Sequence, residues 1–84
     1  MKSYRWLATE QVVERILTLR SNRDRQKFND FFSRLAGDPE GLAQDSFDDS
    51  EGNLYYATHY EHWIITYHID DALKQVILLA LEMS

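Results

Sequence analysis

The chain contains no cysteine, so neither a disulfide framework nor a cysteine-ligated zinc site can hold it together. It has one proline, Pro39, and no apolar run approaching the length of a membrane-crossing helix. The opening Met1-Lys2-Ser3-Tyr4-Arg5-Trp6 lacks the apolar centre of a signal peptide, which predicts a cytoplasmic protein without a membrane association. Basic residues are scarce in the second half. Residues 1–34 carry eight Lys/Arg against Glu10, Glu14, Asp24 and Asp30, whereas residues 35–84 carry Lys74 alone against ten acids. The halves are thus +4 and −9, which sum to the net −5. A surface meant for RNA is built on Lys/Arg, so this imbalance counts against nucleic acid as the partner of the second half.

What is present suffices for a dense core. In 84 residues, 44% are hydrophobic and eleven are aromatic, enough for one domain spanning 1–84. Ser3–Ala8 alternates, placing Tyr4 and Trp6 on one side and Arg5 and Leu7 on the other, as a short strand does. Thr9 offers an N-cap to a helix with Val12, Val13, Ile16, Leu17 and Leu19 as its apolar stripe. Ser21, with Asp24 three residues on, starts a second helix in the manner of a capping box. Phe28, Phe31, Phe32 and Leu35 lie at i, i+3, i+4 and i+7, a core stripe. Gly37 reads as the residue just past its end, and Pro39 forbids continuation.

The acidic stretch Asp38–Glu51, six acids and no base, holds one short strand around Ala43–Phe47. From Leu54 three segments rich in β-branched and aromatic residues follow: LYYATHY, HWIITYHI and QVILLAL. The whole predicts an α+β fold, with a helical hairpin on one face of a mostly antiparallel sheet of four to five strands in the order β-α-α-β-β-β-β. Turning the middle hairpin at Tyr60-Glu61 sets Thr58 opposite Trp63, Tyr56 opposite Ile65 and Leu54 opposite Tyr67, with the large hydrophobes on one side. Trp63 and Phe31 then share one buried cluster. The last strand must turn either Val76, Leu78 and Ala80 or Ile77, Leu79 and Leu81 to the opposite side.

That opposite side collects Tyr55, Ala57, His59, His62, Ile64 and His68 around an apolar patch. Soluble monomers rarely leave such patches open, so these residues are candidates for a protein-binding face. Its occupant is a segment of a partner protein, a second copy of the chain, or the chain's own acidic loop. His59 and His62, expected to be cross-strand neighbours, and Tyr55 are the candidates for acid/base chemistry. Histidines beside a turn are more often plain surface residues. His62 and His68 are six residues apart, roughly 20 Å along a strand, too far to share a metal. No metal or other cofactor is called for. Arg20, Arg23, Arg25 and Lys27 cluster at the inter-helix turn, either as an anion site or as a solvated turn.

A strand, a helical hairpin ending in Leu35-Ala-Gly-Asp-Pro39, and meandering strands with Trp63–Asp70 leading into Val76–Leu81 together resemble the RelE/ParE toxin superfamily. The resemblance implies a bacterial toxin of a type II toxin–antitoxin pair, cutting messenger RNA on the ribosome or poisoning gyrase, and neutralised by a cognate antitoxin. It also implies an arginine where Ile64 stands and a His/Arg-rich tail after the last strand, where Glu82-Met83-Ser84 follow Leu81. Tyr67 matches the family's second strand tyrosine. The reading is therefore of a member without the basic catalytic residues, acting by protein binding rather than as a small ribonuclease. A small acidic inhibitor or immunity-type protein that binds a basic enzyme is the alternative.

Overall fold

The computed structural model describes residues 4–83, so Ser3 lies outside it. The elements are β1 (Arg5–Ala8), α1 (Glu10–Leu17), α2 (Asn22–Gly37), β2 (Asp45–Asp48), β3 (Leu54–Tyr60), β4 (Trp63–Asp70) and β5 (Gln75–Met83). The five strands form one sheet in the order β1-β5-β4-β3-β2, with β1 parallel to β5 and every other pair antiparallel. This is the expected α+β architecture.

The second helix follows its stripe. Phe28, Phe31, Phe32, Leu35 and Ala36 are buried, and Ser21 Oγ accepts hydrogen bonds from Arg23 and Asp24 N–H. Gly37 is the last helical residue, not the one after it, and Asp38 takes the cap. The first helix departs further. Thr9 sits at its N-cap, but its hydroxyl donates to the Leu79 carbonyl on β5. Val12 is buried and Ile16 packs on the core, while Val13 and Leu17 are exposed. At eight residues, α1 presents one narrow stripe to the sheet, and the rest of its apolar side faces solvent.

In the β3–β4 hairpin the expected faces are right and the register is off by two. Tyr60 opposes Trp63, Thr58 opposes Ile65 and Tyr56 opposes Tyr67. The turn is Glu61-His62, with Glu61 at φ +55°. Tight two-residue hairpins favour positive φ because it matches the twist of their strands. A shift of two keeps every side chain on its face, which is why the hydrophobic pattern could not detect it.

The last strand corrects the expectation differently. Thr66 pairs with Ala80 while Tyr67 pairs with Leu78, so Leu79 is an extra residue in a bulge. The helix-covered side therefore receives Val76, Leu78 and Leu81, all fully buried, and neither expected triplet is intact. The chain around Ala43 is a turn segment; the strand starts at Asp45.

One core lies between the helices and the sheet. Ile65, Tyr67, Ile69, Val76, Leu78 and Leu81 meet Val12 and the α2 phenylalanines there. Trp6 rests against Phe32 at 5.2 Å between ring centroids, and Phe31 stacks on Tyr60 at 4.4 Å. Phe31 is buried, whereas Trp63 is only half-buried, packed edge-on against Phe28 at the hairpin end. Among the described residues no buried side-chain polar atom lacks a partner: the Tyr67 hydroxyl donates to the Pro39 carbonyl (2.6 Å) and Thr58 Oγ1 to the Leu42 carbonyl (2.9 Å).

Candidate functional site

The face of the sheet away from the helices is built by strand alternation. Cross-strand pairing lines up one row over all five strands: Phe47, Tyr55, His68, Ile77 and Leu7. The Phe47 and Tyr55 rings are 5.6 Å apart, and Tyr55 and His68 6.0 Å. A shallow groove of about 230 Å³ runs here, lined by Asn53, Tyr55, His68, Ile77 and Leu79. Phe47 and Leu7 at the ends of the row are 49% and 48% exposed, and Tyr55, His68 and Ile77 between them are half-buried.

Of the expected binding residues, Tyr55, Ala57, Ile64 and His68 lie half-buried on this face, with His59 exposed beside them. His59 opposes Ile64, and Ile64 opposes Glu82. His62 is not a cross-strand neighbour of His59. It occupies the hairpin turn, because the turn falls one residue later than expected, and borders a cavity with Trp63 on the helix side. Ile64 and His68 are four residues apart, roughly 13 Å along the strand, so the His59 and His68 ends of the face are separate. No group of three His, Asp or Glu side chains suited to a metal occurs among the described residues.

The polar end of the groove is tightly arranged. Asp49, in the β2–β3 turn, accepts hydrogen bonds from Asn53 Nδ2, the Asn53 and Glu51 N–H groups, and the Tyr55 hydroxyl (3.0 Å). The Asn53 donors foremost hold the Asp49 carboxyl down at about 2. Its acceptance of the Tyr55 proton pushes that phenol up. His68 Nδ1 lies 3.1 Å from the Leu54 carbonyl. A carbonyl only accepts, so this bond assigns the hydrogen to Nδ1. Tyr55 is thus locked in place as a donor already in use, which suits an aromatic contact surface better than proton transfer.

The four basic residues at the inter-helix turn do not form one site. The Arg25 guanidinium donates twice to the Leu19 carbonyl (3.1 and 2.8 Å) and once to Asn22 Oδ1, closing the turn. Lys27 pairs with Glu61 at 3.5 Å. Arg20 and Arg23 point to solvent. Sequence reasoning missed Asp49, Phe47 and Leu7 as members of the face. Asp49-x-x-x-Asn53 is a turn signal that marks the loop but not the tyrosine it holds.

No protein-family model matches the chain, and no curated protein does. Solved structures do. A chain of the toxin–antitoxin complex RelBE2 from Mycobacterium tuberculosis superposes with a TM-score of 0.79 at 17% identity, covering 98% of this chain and 99% of that one. A chain of the archaeal RelE–RelB complex from Pyrococcus horikoshii OT3 gives a TM-score of 0.76 at 20% identity, covering 99% and 96%. The chain therefore has the fold found in these RelE complexes, the one its element order and strand pattern resemble.

Proposed function

We propose that the chain is a toxin-like component of a type II toxin–antitoxin module that works by binding protein rather than by cutting RNA. One observation carries the reading: the open faces of β3, β4 and β5 hold no lysine or arginine. Their residues are Tyr55, Ala57, His59, Ile64, Thr66, His68, Asp70, Gln75, Ile77, Leu79, Ala80 and Glu82, and the edge strand β1 adds Arg5, paired with Gln75. Phosphoryl chemistry on RNA needs cationic groups to bind the backbone and to stabilise charge in the transition state. A half-buried aromatic and aliphatic row with a polar rim instead has the make-up of a protein interface. The solved complexes of this fold pair a toxin with an antitoxin, which supports an antitoxin-like segment as the partner. The setting would be the bacterial cytoplasm, and no helix among the described residues is long and apolar enough to cross a membrane.

The test is induced expression of the chain followed by primer-extension mapping of messenger RNA. No codon-phased cuts are expected. Cuts that appear, and that disappear with His59→Ala, His68→Ala or Tyr55→Phe, would overturn the proposal.

A further inference from the structure

Three occupants could cover the open face: a partner segment, a second copy of the chain, or the chain's own acidic loop. The charges of the face decide among them. Four carboxylates belong to it: Asp45 opposite Ala57, Asp49 bonded to the Tyr55 hydroxyl, Asp70 opposite Gln75, and Glu82 opposite Ile64. Arg5, paired with Gln75 from the edge strand, is its one cation among the described residues. One positive against four negative charges leaves the face at −3, with histidine counted as neutral. None of the four carboxylates is in an ion pair among the described residues. We propose that the face takes an apolar segment of a partner protein with lysine or arginine at both ends. This rests on the reading of the face as a protein-binding one.

The sign of the charge disfavours the other two occupants. A second copy sets −3 against −3, and the loop Asp38–Glu51, six acids and no base, brings acid to acid. The acidity is also local. The helical layer on the other side of the sheet exposes Arg15, Arg20, Arg23 and Arg34, so a cationic segment is steered away from the helices and toward the open face. Spacing then sets the form of the partner. Glu82 opposes Ile64 near one end of β4, and Asp70 closes the other end, six residues or roughly 20 Å away. Between them lies the groove of about 230 Å³ walled by Tyr55, His68, Ile77 and Leu79, which seats the apolar centre. Asp70 accepts the Leu73 N–H with one oxygen (3.1 Å), which leaves the other for a cation. Asp49 already accepts four hydrogen bonds, so it contributes charge rather than a new bond. An extended stretch of about six residues spans the distance between the two acidic ends.

The experiment is an NMR titration of the full chain at low salt with three probes. They are a leucine-rich peptide of about eight residues with lysine at both ends, its twin with glutamate at both ends, and a short single-stranded RNA. Saturable shifts of the Ile64, His68 and Ile77 amides are expected with the lysine peptide. The glutamate twin should bind about tenfold more weakly, and the difference should shrink at high salt, which screens exposed charges. Glu82→Lys, at an exposed position and so expected to fold, should weaken the lysine peptide about fivefold and tighten its twin. Equal affinity for the two peptides, or no shift with either, would overturn the inference. So would concentration-dependent shifts of the same amides in the free chain, the mark of a second copy on the face. The protein-binding reading itself survives equal affinity and falls if the RNA alone shifts those amides.

Discussion

Replacing Tyr67 with phenylalanine removes one oxygen from the centre of the molecule and little else. The ring is fully buried, stacked 5.7 Å from Tyr56, and its hydroxyl donates to the Pro39 carbonyl at 2.6 Å. That bond ties the turn after α2 to the middle of the sheet. The variant keeps the ring and its packing but loses the bond and leaves the carbonyl without this donor, together about 2 kcal/mol. In a domain of this size 1 kcal/mol moves the melting temperature by about 4–8 °C, so a fall of about 8–16 °C is expected. Urea unfolding followed by fluorescence measures it, with an unchanged denaturant dependence. A second reading comes from alkaline pH. Burial, first among the causes, raises the Tyr67 phenol above its ordinary value of 10.0. The stability from its protonated form is fully present below pH 10 and lost as pH rises through the folded-state value. The gap between wild type and variant should therefore narrow above pH 10. A loss below about 0.5 kcal/mol at neutral pH, or a gap that widens with alkalinity, would refute the reasoning.

Ile64→Glu places a charge in the open face. Sedimentation should show the loss of whatever the wild type binds there, a partner segment or a second copy, whereas a monomer equally soluble in both forms and losing no partner would count against an interface. Asp49 should titrate by NMR near 2, and its contribution to loop order, present above the unfolded value of 3.8, should vanish as pH falls through about 2. Asp49→Asn should raise amide exchange at Glu51 and Asn53 at neutral pH; unchanged exchange would mean the loop is held otherwise. Deleting Leu79, the extra residue of the bulge, should preserve the faces of the residues flanking it and cost far less than deleting Ile77, which reverses the parity between Val76 and Leu78. Equal losses in thermal unfolding would show that the bulge is not where the strand absorbs its mismatch.

The legible parts of this sequence were those where period and chemistry agree. Phe28, Phe31, Phe32 and Leu35 can be helical core only, and Trp63, Ile65, Tyr67 and Ile69 alternate with His62, Ile64, Thr66 and His68, of which only Ile64 is apolar. The hairpin register escaped because parity is blind to a shift of two, which moved His62 off the sheet and into the turn. The bulge escaped for a related reason. A strand apolar on both sides carries no parity signal, so one added residue leaves no trace in its pattern. Val13 and Leu17 look like core in the sequence, yet the eight-residue α1 buries only the Val12 and Ile16 side. Of the open face, the histidines drew attention by type, whereas Phe47 and Leu7 joined it through pairings across four strand boundaries.

The parallel pairing of β1 with β5 has a consequence for the chain during its own synthesis. Arg5 pairs with Gln75, so the first strand waits for a partner 70 positions downstream. At translation rates of about 5–20 residues per second, that wait is about 4–14 s. Through this interval α1 and α2 can wind locally, but Phe28, Phe31 and Phe32 have no sheet to cover them until β4 and β5 emerge. Such distant pairing also slows the final step relative to the local helices. The nascent chain thus passes through a helical, phenylalanine-exposing stage, during which chaperones on the ribosome, or a partner made alongside it, would find it open.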